Sequence, residues 1–387
     1  MTKYNSDMKP ERPILYIDPQ SSGNLAAYDH GVLCCIGEPV VYACSCHYDY
    51  EPMPENIRSY PIFRYNKIKN PVIKLLSYLW SMLSLWRLIA REKPRLIHVQ
   101  WLRIPHFDYA FYWLVKKLYK PTLLLTAHNV LPHNTGSRYR SIYGKVYQLF
   151  DHIIVHAEAT RQEIESGFNI NGTKISVIHH GTLKMSVDHD KLKAQQEAFM
   201  QKYPVAGRIV FTSLGEQSGY KGIDLLTDIW QHTPELNTNP DILIIFAGKS
   251  VGIDFSPISG YSNVIIIDER ISNEEYHFLL THTDVYLLPY RKISQSGALF
   301  TAMEEHIPMI VSDAGGLAEP LAYANIGWQV KAGDKASLRQ TLLHLAAHPD
   351  EIKNVRNNTQ GWATVCEKYN WHTISQQTDA LYNEYLG

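Results

Sequence analysis

The chain has 387 residues, 45% of them hydrophobic and 19% charged, with a formal net charge of −1. That length is about twice a common domain size and carries enough apolar material for two packed cores, which excludes a disordered chain. A charge so near zero gives no global attraction to nucleic acid.

Residues 1–12 are polar and lead directly into the apolar run Pro13 to Asp18, unlike a secretory leader. No stretch reaches the roughly 18 uncharged apolar residues of a membrane span. The longest, Leu75 to Trp86, has 12 and is flanked by Lys74 and Arg87. The expectation is a cytoplasmic protein, or one held peripherally on the cytoplasmic membrane face. Five cysteines, at 34, 35, 44, 46 and 366, form no disulfide framework in such a compartment. Cys44, Cys46 and His47 fit no common zinc spacing and read as packing residues.

In the first half, strands are expected at Ile14–Ile17, Val40–Ala43, Leu96–Val99, Thr122–Thr126, Ile153–Val155 and Ile175–Ile178. Their Ile, Val and Leu content without alternation is that of strands buried on both faces. Between them lie helical patterns, one of which gathers Val72, Leu75, Leu76, Leu79, Leu83 and Trp86 on one apolar face. The second half repeats the scheme at Ile209–Thr212, Ile242–Ala247, Val264–Ile267, Val285–Leu288, Met309–Ser312 and Trp328–Val330. Strands alternating with helices predict an α/β fold of two doubly wound, Rossmann-like domains facing across a cleft. The polar stretch Ser186 to Tyr203 marks the boundary, giving domains at 1–185 and 186–365 and a closing helix at 366–387.

From Glu55 to Lys120 there are 13 Lys or Arg and 3 Asp or Glu, a net of +10, interleaved with aromatic residues such as Tyr65, Trp80, Trp86, Trp101, Phe107 and Trp113. This pattern suits an anionic membrane face or a lipid diphosphate; it is equally that of a buried amphipathic helix with a solvated basic side.

Three segments at the carboxyl ends of second-half strands carry phosphate chemistry. The strand Phe211–Leu214 runs into Gly215, then Gly219-Tyr220-Lys221-Gly222 and a helix start. Glycine admits close backbone approach, the helix N-terminus favours an anion, and Lys221 adds a cation. A structural turn with a solvated lysine has the same pattern. Leu288-Pro289-Tyr290 is followed by Ser294-Gln295-Ser296-Gly297-Ala298, where free amides at a helix start could hold a diphosphate; a plain cap by Ser294 or Ser296 is the alternative. Pro308 to Gly316, with Glu319 just after, is the third.

On these residues the chain resembles glycosyltransferase family 4, which has the GT-B fold. The likeness rests on Gly215 with Lys221-Gly222, on Leu288-Pro289-Tyr290, and on Pro308 through Gly316 with Glu319. Val177-Ile178-His179-His180-Gly181 resembles the family's entry to the second domain, and Tyr369-Asn370-Trp371 its C-terminal segment, which packs back on the first. It is close over roughly 175–385 and loose before. The resemblance implies transfer of a sugar from a UDP- or GDP-linked donor to a glycan or a polyprenyl-diphosphate-linked acceptor, as in bacterial polysaccharide assembly, with no metal and no other cofactor. It places Lys221, Ser296 and Gly297 on the donor phosphates, with Gly215 and Glu319 beside them, and makes His128, in Thr126-Ala127-His128-Asn129, the catalytic histidine opposite. Asp188-His189-Asp190 imitates a metal motif but falls in the boundary helix.

The chain departs from the family pattern at Glu216, where relatives carry an arginine, and at Ile293 and Thr301, where they carry paired glutamates. Thr301 retains a hydroxyl for a ribose, Glu304 or Glu305 stands one turn on, and Arg291 or Lys292 offers replacement positive charge. The "Gln-Ser-Gly-Ala-Leu" form at Gln295–Leu299 resembles a divergent branch of the family. Two other functions are compatible with these losses: a non-catalytic glycosyltransferase-like partner subunit, and a nucleotide-sugar epimerase of the same fold.

Overall fold

The computed structural model describes residues 12–132 and 137–387. The chain divides into two units, Met1–Gly181 with Tyr369–Gly387, and Thr182–Lys368.

In the first unit the elements run β1 (Ile14–Asp18), α1 (Asn24–Leu33), β2 (Val40–Ser45), β3 (Ile57–Phe63), α2 (Pro71–Glu92), β4 (Leu96–Val99), α3 (Pro105–Tyr119), β5 (Thr122–Thr126), α4 (Arg140–Leu149), β6 (His152–Val155), α5 (Glu158–Phe168) and β7 (Ile175–Val177). All seven strands are parallel, in the order β3-β2-β1-β4-β5-β6-β7. Successive residues point to opposite faces. Leu15, Ile17, Val41, Ile97, Val99 and Leu123 pack under α2 to α5, while Ile14, Tyr16, Val40, Tyr42 and Leu124 pack under α1. Sequence patterning missed β3. It is an edge strand whose middle residues, Arg58 to Ile62, are not buried, and it contains Pro61, so neither a continuous apolar run nor clean alternation marks it.

Helix α2 corrects a second expectation. Asn70 caps it by accepting from the amides of Val72 and Ile73, and its buried face is Tyr78, Met82, Leu85, Leu88 and Ile89. Val72, Leu75, Leu76, Leu79 and Leu83, the apolar face legible in the sequence, lie on the outside. Both faces of this helix are apolar, so periodicity alone could not tell which one meets the sheet.

The second unit begins with α6 (His189–Lys202), then β8 (Ile209–Leu214), the short β9 (Gln217–Ser218), α7 (Ile223–Gln231), α8 (Pro234–Asn237), β10 (Ile242–Ala247), the short β11 (Ser250–Val251), β12 (Val264–Ile267), α9 (Asn273–Thr281), β13 (Val285–Leu288), α10 (Gly297–Glu304), β14 (Met309–Ser312), β15 (Gly327–Val330), α11 (Lys335–Ala347), α12 (Pro349–Arg356) and α13 (Thr359–Tyr369). Its main sheet has the order β12-β10-β8-β13-β14-β15, again all parallel. Phe211, Ile242, Ile244, Phe246, Leu287 and Ile310 form its core with α7 and α11. Asp188 caps α6 by accepting from the amides of Asp190 and Lys191, which is the local reason for the Asp188-His189-Asp190 run. Phe199 then packs α6 onto Phe278 of α9, with ring centroids 5.3 Å apart.

The last helix, α14 (Trp371–Leu386), belongs to the first unit and packs against α1. Ser375 donates its hydroxyl to the carbonyl of Val32 at 2.6 Å and accepts from the amide of Cys35 at 3.0 Å. The indole of Trp371 sits against Gly31 of α1 and against Gly181, and a Cβ on either glycine would fall inside the ring's van der Waals envelope. Tyr28 meets the same indole edge-on at 5.5 Å. Overpacking at such a site costs about 1–3 kcal/mol, which exceeds the roughly 1 kcal/mol that alanine gains over glycine within a helix. Gly31→Ala is therefore expected to lower stability in chemical denaturation, whereas Gly37→Ala, with open space around it, leaves it unchanged.

Candidate functional site

Where the strand order of a parallel sheet reverses, neighbouring crossovers leave on opposite faces and open a crevice at the carboxyl ends. In the second unit this reversal falls between β8 and β13. Strand β8 is followed by Gly215, at φ 89°, and the chain returns through Lys221 and Gly222, at φ 77°. Both angles suit glycine. Gly222 also lies so close to the carbonyl of Pro289 that no Cβ fits. The buried Gln217 holds this loop by donating to the carbonyls of Ser213 at 3.0 Å and Gly215 at 2.7 Å.

These contacts deliver Lys221 to the end of β13. Its amine lies 3.7 Å from the position a Cβ on Gly215 would occupy and 5.8 Å from the centroid of Tyr290. The Tyr290 hydroxyl is 3.1 Å from that of Ser296. Ser296 precedes α10, whose first turn begins at Gly297 and has no side-chain cap. Gly215, Lys221, Tyr290, Ser296 and the α10 N-terminus thus converge. Burial lowers the pKa of Lys221, and the nearby Glu216 opposes that shift. Among the described residues Lys221 forms no ion pair within 4.0 Å, so a partly desolvated cation is left beside Tyr290, whose hydroxyl meets Ser296 at the start of α10. The cation and the helix start both favour an anion.

Other sequence-predicted residues are engaged differently. Arg291 makes a two-pronged ion pair with Asp224, 2.6 Å on each side, and donates to the carbonyl of Gly219 at 2.7 Å. Its charge is matched by Asp224, so it positions the Gly219–Asp224 segment instead of supplying free positive charge. The Thr301 hydroxyl donates back to the carbonyl of Gly297 at 3.0 Å and is buried, which directs its proton away from a ribose. Glu305 faces His277 at 3.7 Å, and Glu304 is exposed. Glu319 is half-buried at the start of a short 3-10 turn, with its amide on the carbonyl of Gly316. Gly316 in turn donates to the carbonyl of Ser294 at 3.1 Å, which ties the loop after β14 to the one before α10.

In the first unit the reversal lies between β1 and β4. Gln20 follows β1, Gln100 and Trp101 follow β4, and His128 follows β5. They line a cavity of about 390 Å³ together with Arg103, Asn129, Tyr139, Tyr143 and Tyr147. The imidazole of His128 stacks flat on Trp101, with centroids 4.6 Å apart and planes 2° apart. The Trp101 indole N–H is buried and has no hydrogen-bond partner among the described residues, which leaves a donor for a bound molecule. Buried Asp108 shapes this wall by accepting from the amides of Arg103 at 2.6 Å and Ile104 at 2.8 Å and from the Tyr78 hydroxyl.

Both nitrogens of His128 are engaged. Nδ1 of His156 donates to the carbonyl of Ile178 at 2.8 Å, which leaves its Nε2 to accept from Nδ1 of His128 at 3.3 Å. The Gln100 amide lies 3.0 Å from Nε2 of His128 and 3.1 Å from Nε2 of His98. The structure has the oxygen toward His128 and the nitrogen toward His98; exchanging these two near-equivalent atoms lets the nitrogen donate to His128 and the oxygen accept from His98, which satisfies every ring in the neutral state. Burial agrees, holding His128 well below the usual histidine range and pushing His156 to about 4 and His98 to about 3. His128 at neutral pH is an uncharged ring locked in one tautomer, so acting as a base requires Gln100 to release it. Sequence reasoning missed Gln100, Trp101 and His156. Each stands one or two places past a strand end, and that was the available signal.

Five histidines of this unit, buried 98, 152 and 156 and half-buried 128 and 180, have lowered pKa values, whereas Asp18, Asp29 and Asp108 are raised, all chiefly through desolvation. The two groups act with opposite sign. Stability from the neutral histidines is complete above pH 6.5 and is lost as pH falls toward their folded values. The carboxyls, at about 6 for Asp18 and Asp108, stabilise as pH falls through that value. Five lowered histidines outnumber three raised carboxyls, so below pH 6.5 the unfolded chain binds more protons and stability falls with pH. Denaturation midpoints followed by fluorescence are expected to drop between pH 6.5 and 5; a flat profile would contradict the neutral-ring network.

The family model described as Glycosyltransferase Family 4 matches residues 37–182, and that described as Glycosyl transferases group 1 matches 207–348. No curated protein matches the chain in sequence. Among solved structures it is similar to sucrose-phosphate synthase from Thermosynechococcus elongatus, at TM-score 0.71 and 17% identity, covering 97% of this chain and 99% of that one. HepE from Anabaena in complex with UDP superposes at 0.67 and 13% identity, covering 96% and 100%. The UDP-forming α,α-trehalose-phosphate synthase from Burkholderia vietnamiensis does so at 0.66 and 12%, covering 96% and 100%.

Proposed function

We propose that this chain, which belongs to the glycosyltransferases of the family 4 type with the GT-B fold, transfers a hexosyl group from a nucleotide diphosphate sugar to a glycan or lipid-linked acceptor. The carrying observation is the partly desolvated Lys221 amine, without an ion pair among the described residues, beside Gly215 and Tyr290, whose hydroxyl meets Ser296 at the uncapped start of α10. A leaving nucleoside diphosphate develops negative charge, and fixed donors already aimed at that place stabilise it without reorganising. A uridine donor is the first choice because HepE was solved with UDP and the trehalose-phosphate synthase is UDP-forming; GDP is the alternative. With a lysine and a helix N-terminus in this role, the reaction needs no metal.

The acceptor reading rests on the first-unit cavity. Its aromatic wall of Trp101, Tyr139 and Tyr143 suits the faces of a sugar ring, Gln20 and Asn129 suit its hydroxyls, and Arg103 suits a phosphate. A polyprenyl-diphosphate-linked sugar, as used in surface polysaccharide assembly on the cytoplasmic side of a membrane, combines all three chemistries. The neutral His128 at the cavity wall offers a polar edge to the reacting sugars.

Three observations favour a second reading, a non-catalytic partner subunit. Ile293 and Thr301 replace paired acids, the Thr301 hydroxyl is turned onto Gly297, and Arg291 is neutralised by Asp224. Calorimetry with UDP and GDP, with and without EDTA, tests the donor site. Binding of one nucleotide unaffected by EDTA, weakened about tenfold or more by Lys221→Ala, is expected for loss of a charge-assisted contact; binding of neither would refute it. Release of free nucleotide from UDP- or GDP-sugars by the intact protein separates the enzyme from a partner subunit.

A further inference from the structure

Helix α2 is long and apolar enough to cross a membrane by length and composition, with a mean hydropathy of 1.3 over its most apolar window. It does not cross one, because Tyr78, Met82, Leu85, Leu88 and Ile89 are part of the first unit's core. Its outer face nonetheless stays apolar: Val72 is 64% exposed, Leu76 61% and Trp80 63%, with Ile73, Leu79 and Leu83 beside them. Helix α3 extends this surface. Tyr78 meets Phe107 at 5.6 Å, and Trp86 meets Phe111 at 6.0 Å and Tyr119 at 5.5 Å, so the two helices lie side by side. On α3, Phe107, Trp113, Leu114 and Leu118 are also exposed. An apolar surface of this breadth marks an interaction site.

The charge around it selects the occupant. Lys67 and Lys69 precede α2, Arg87 and Arg91 stand on its outer side, and Lys117 and Lys120 close α3. The guanidinium of Arg87 lies over Trp80 at 5.7 Å and the amine of Lys117 over Trp113 at 4.8 Å. The only acids on the two helices are already engaged: Glu92 pairs with Arg58 and Arg91, and Asp108 is buried. A second copy would bring one +10 segment against another. An anionic bilayer instead offers hydrocarbon to the apolar side chains and headgroup phosphates to the cations that flank them.

We propose that the outer faces of α2 and α3 seat side by side in the interfacial layer of an anionic bilayer, with α2 lying in the membrane plane. The inference is independent of the donor reading. It does bear on the acceptor, since Arg103 and Pro105, which line the first-unit cavity, stand four and two positions before Phe107 of this surface. A lipid-linked acceptor would meet the cavity without its chain leaving the membrane.

Vesicle flotation tests this with the full chain. Wild type is expected to float with vesicles of phosphatidylcholine and phosphatidylglycerol and not with phosphatidylcholine alone, and high salt should release only part of it. Leu76→Glu combined with Trp80→Glu, both on exposed positions, should weaken binding by about tenfold or more while leaving thermal unfolding and nucleotide binding unchanged. Arg87→Glu with Lys117→Glu should abolish the preference for phosphatidylglycerol. Flotation that survives the Leu76 and Trp80 changes, or complete release by salt, would overturn insertion. So would a concentration-dependent dimer that the same double variant dissociates, since a second copy would then own the face.

Discussion

A parallel strand can be followed by another only through a crossover that passes over one face of the sheet. When strand order reverses, the crossovers on either side must take opposite faces, and the loops at that point part. In each unit of this protein the reversal involves a central strand, β1 against β4 and β8 against β13. The residues with unusual chemistry collect there for that reason. Gln20 and Gln100 flank one reversal, and Gly215 and Tyr290 flank the other. No single loop makes either site; each is produced by two chain segments more than seventy residues apart that the sheet order forces to meet.

Within that frame the two sites have opposite electrostatic character. The second unit keeps a cation, Lys221, partly out of water with no carboxylate within ion-pair distance among the described residues and Glu216 only in its neighbourhood, a state that costs free energy until an anion arrives. Arg291 shows the contrast. It occupies the adjacent strand end, yet Asp224 matches its charge and its role is to brace the loop that carries Lys221. The first unit instead removes charge, lining its strand ends with neutral imidazoles whose nitrogens are all assigned to partners. A ring network of that kind fixes tautomers and orientation, and it joins the cavity wall to α14 through the hydrogen bond between His98 and Tyr382.

The outer surface of α2 and α3 follows from the same economy of burial. A helix covering one face of a parallel sheet needs only one apolar stripe. Here a second stripe faces outward, bordered by cations and free of unpaired acids, so its reason lies outside the core of this unit.

Much of the architecture was legible because strands buried on both faces read as unbroken Ile, Val and Leu runs, and glycine with lysine after such a run reads as a loop open to anions. Six strands in each half, the converging Gly215, Lys221, Ser296 and Gly297, and the basic character of residues 55–120 were visible in that way. What the sequence could not carry was partnership. Whether Arg291 is free or paired depends on Asp224, 67 positions away. Which face of α2 is buried depends on the sheet beneath it, and whether His128 can titrate depends on Gln100 and His156, each 28 positions distant. Composition and periodicity report the local preferences of a segment; the pairing of its side chains, and therefore their charge state, is decided only when tertiary structure brings distant residues within hydrogen-bond range and removes the water between them.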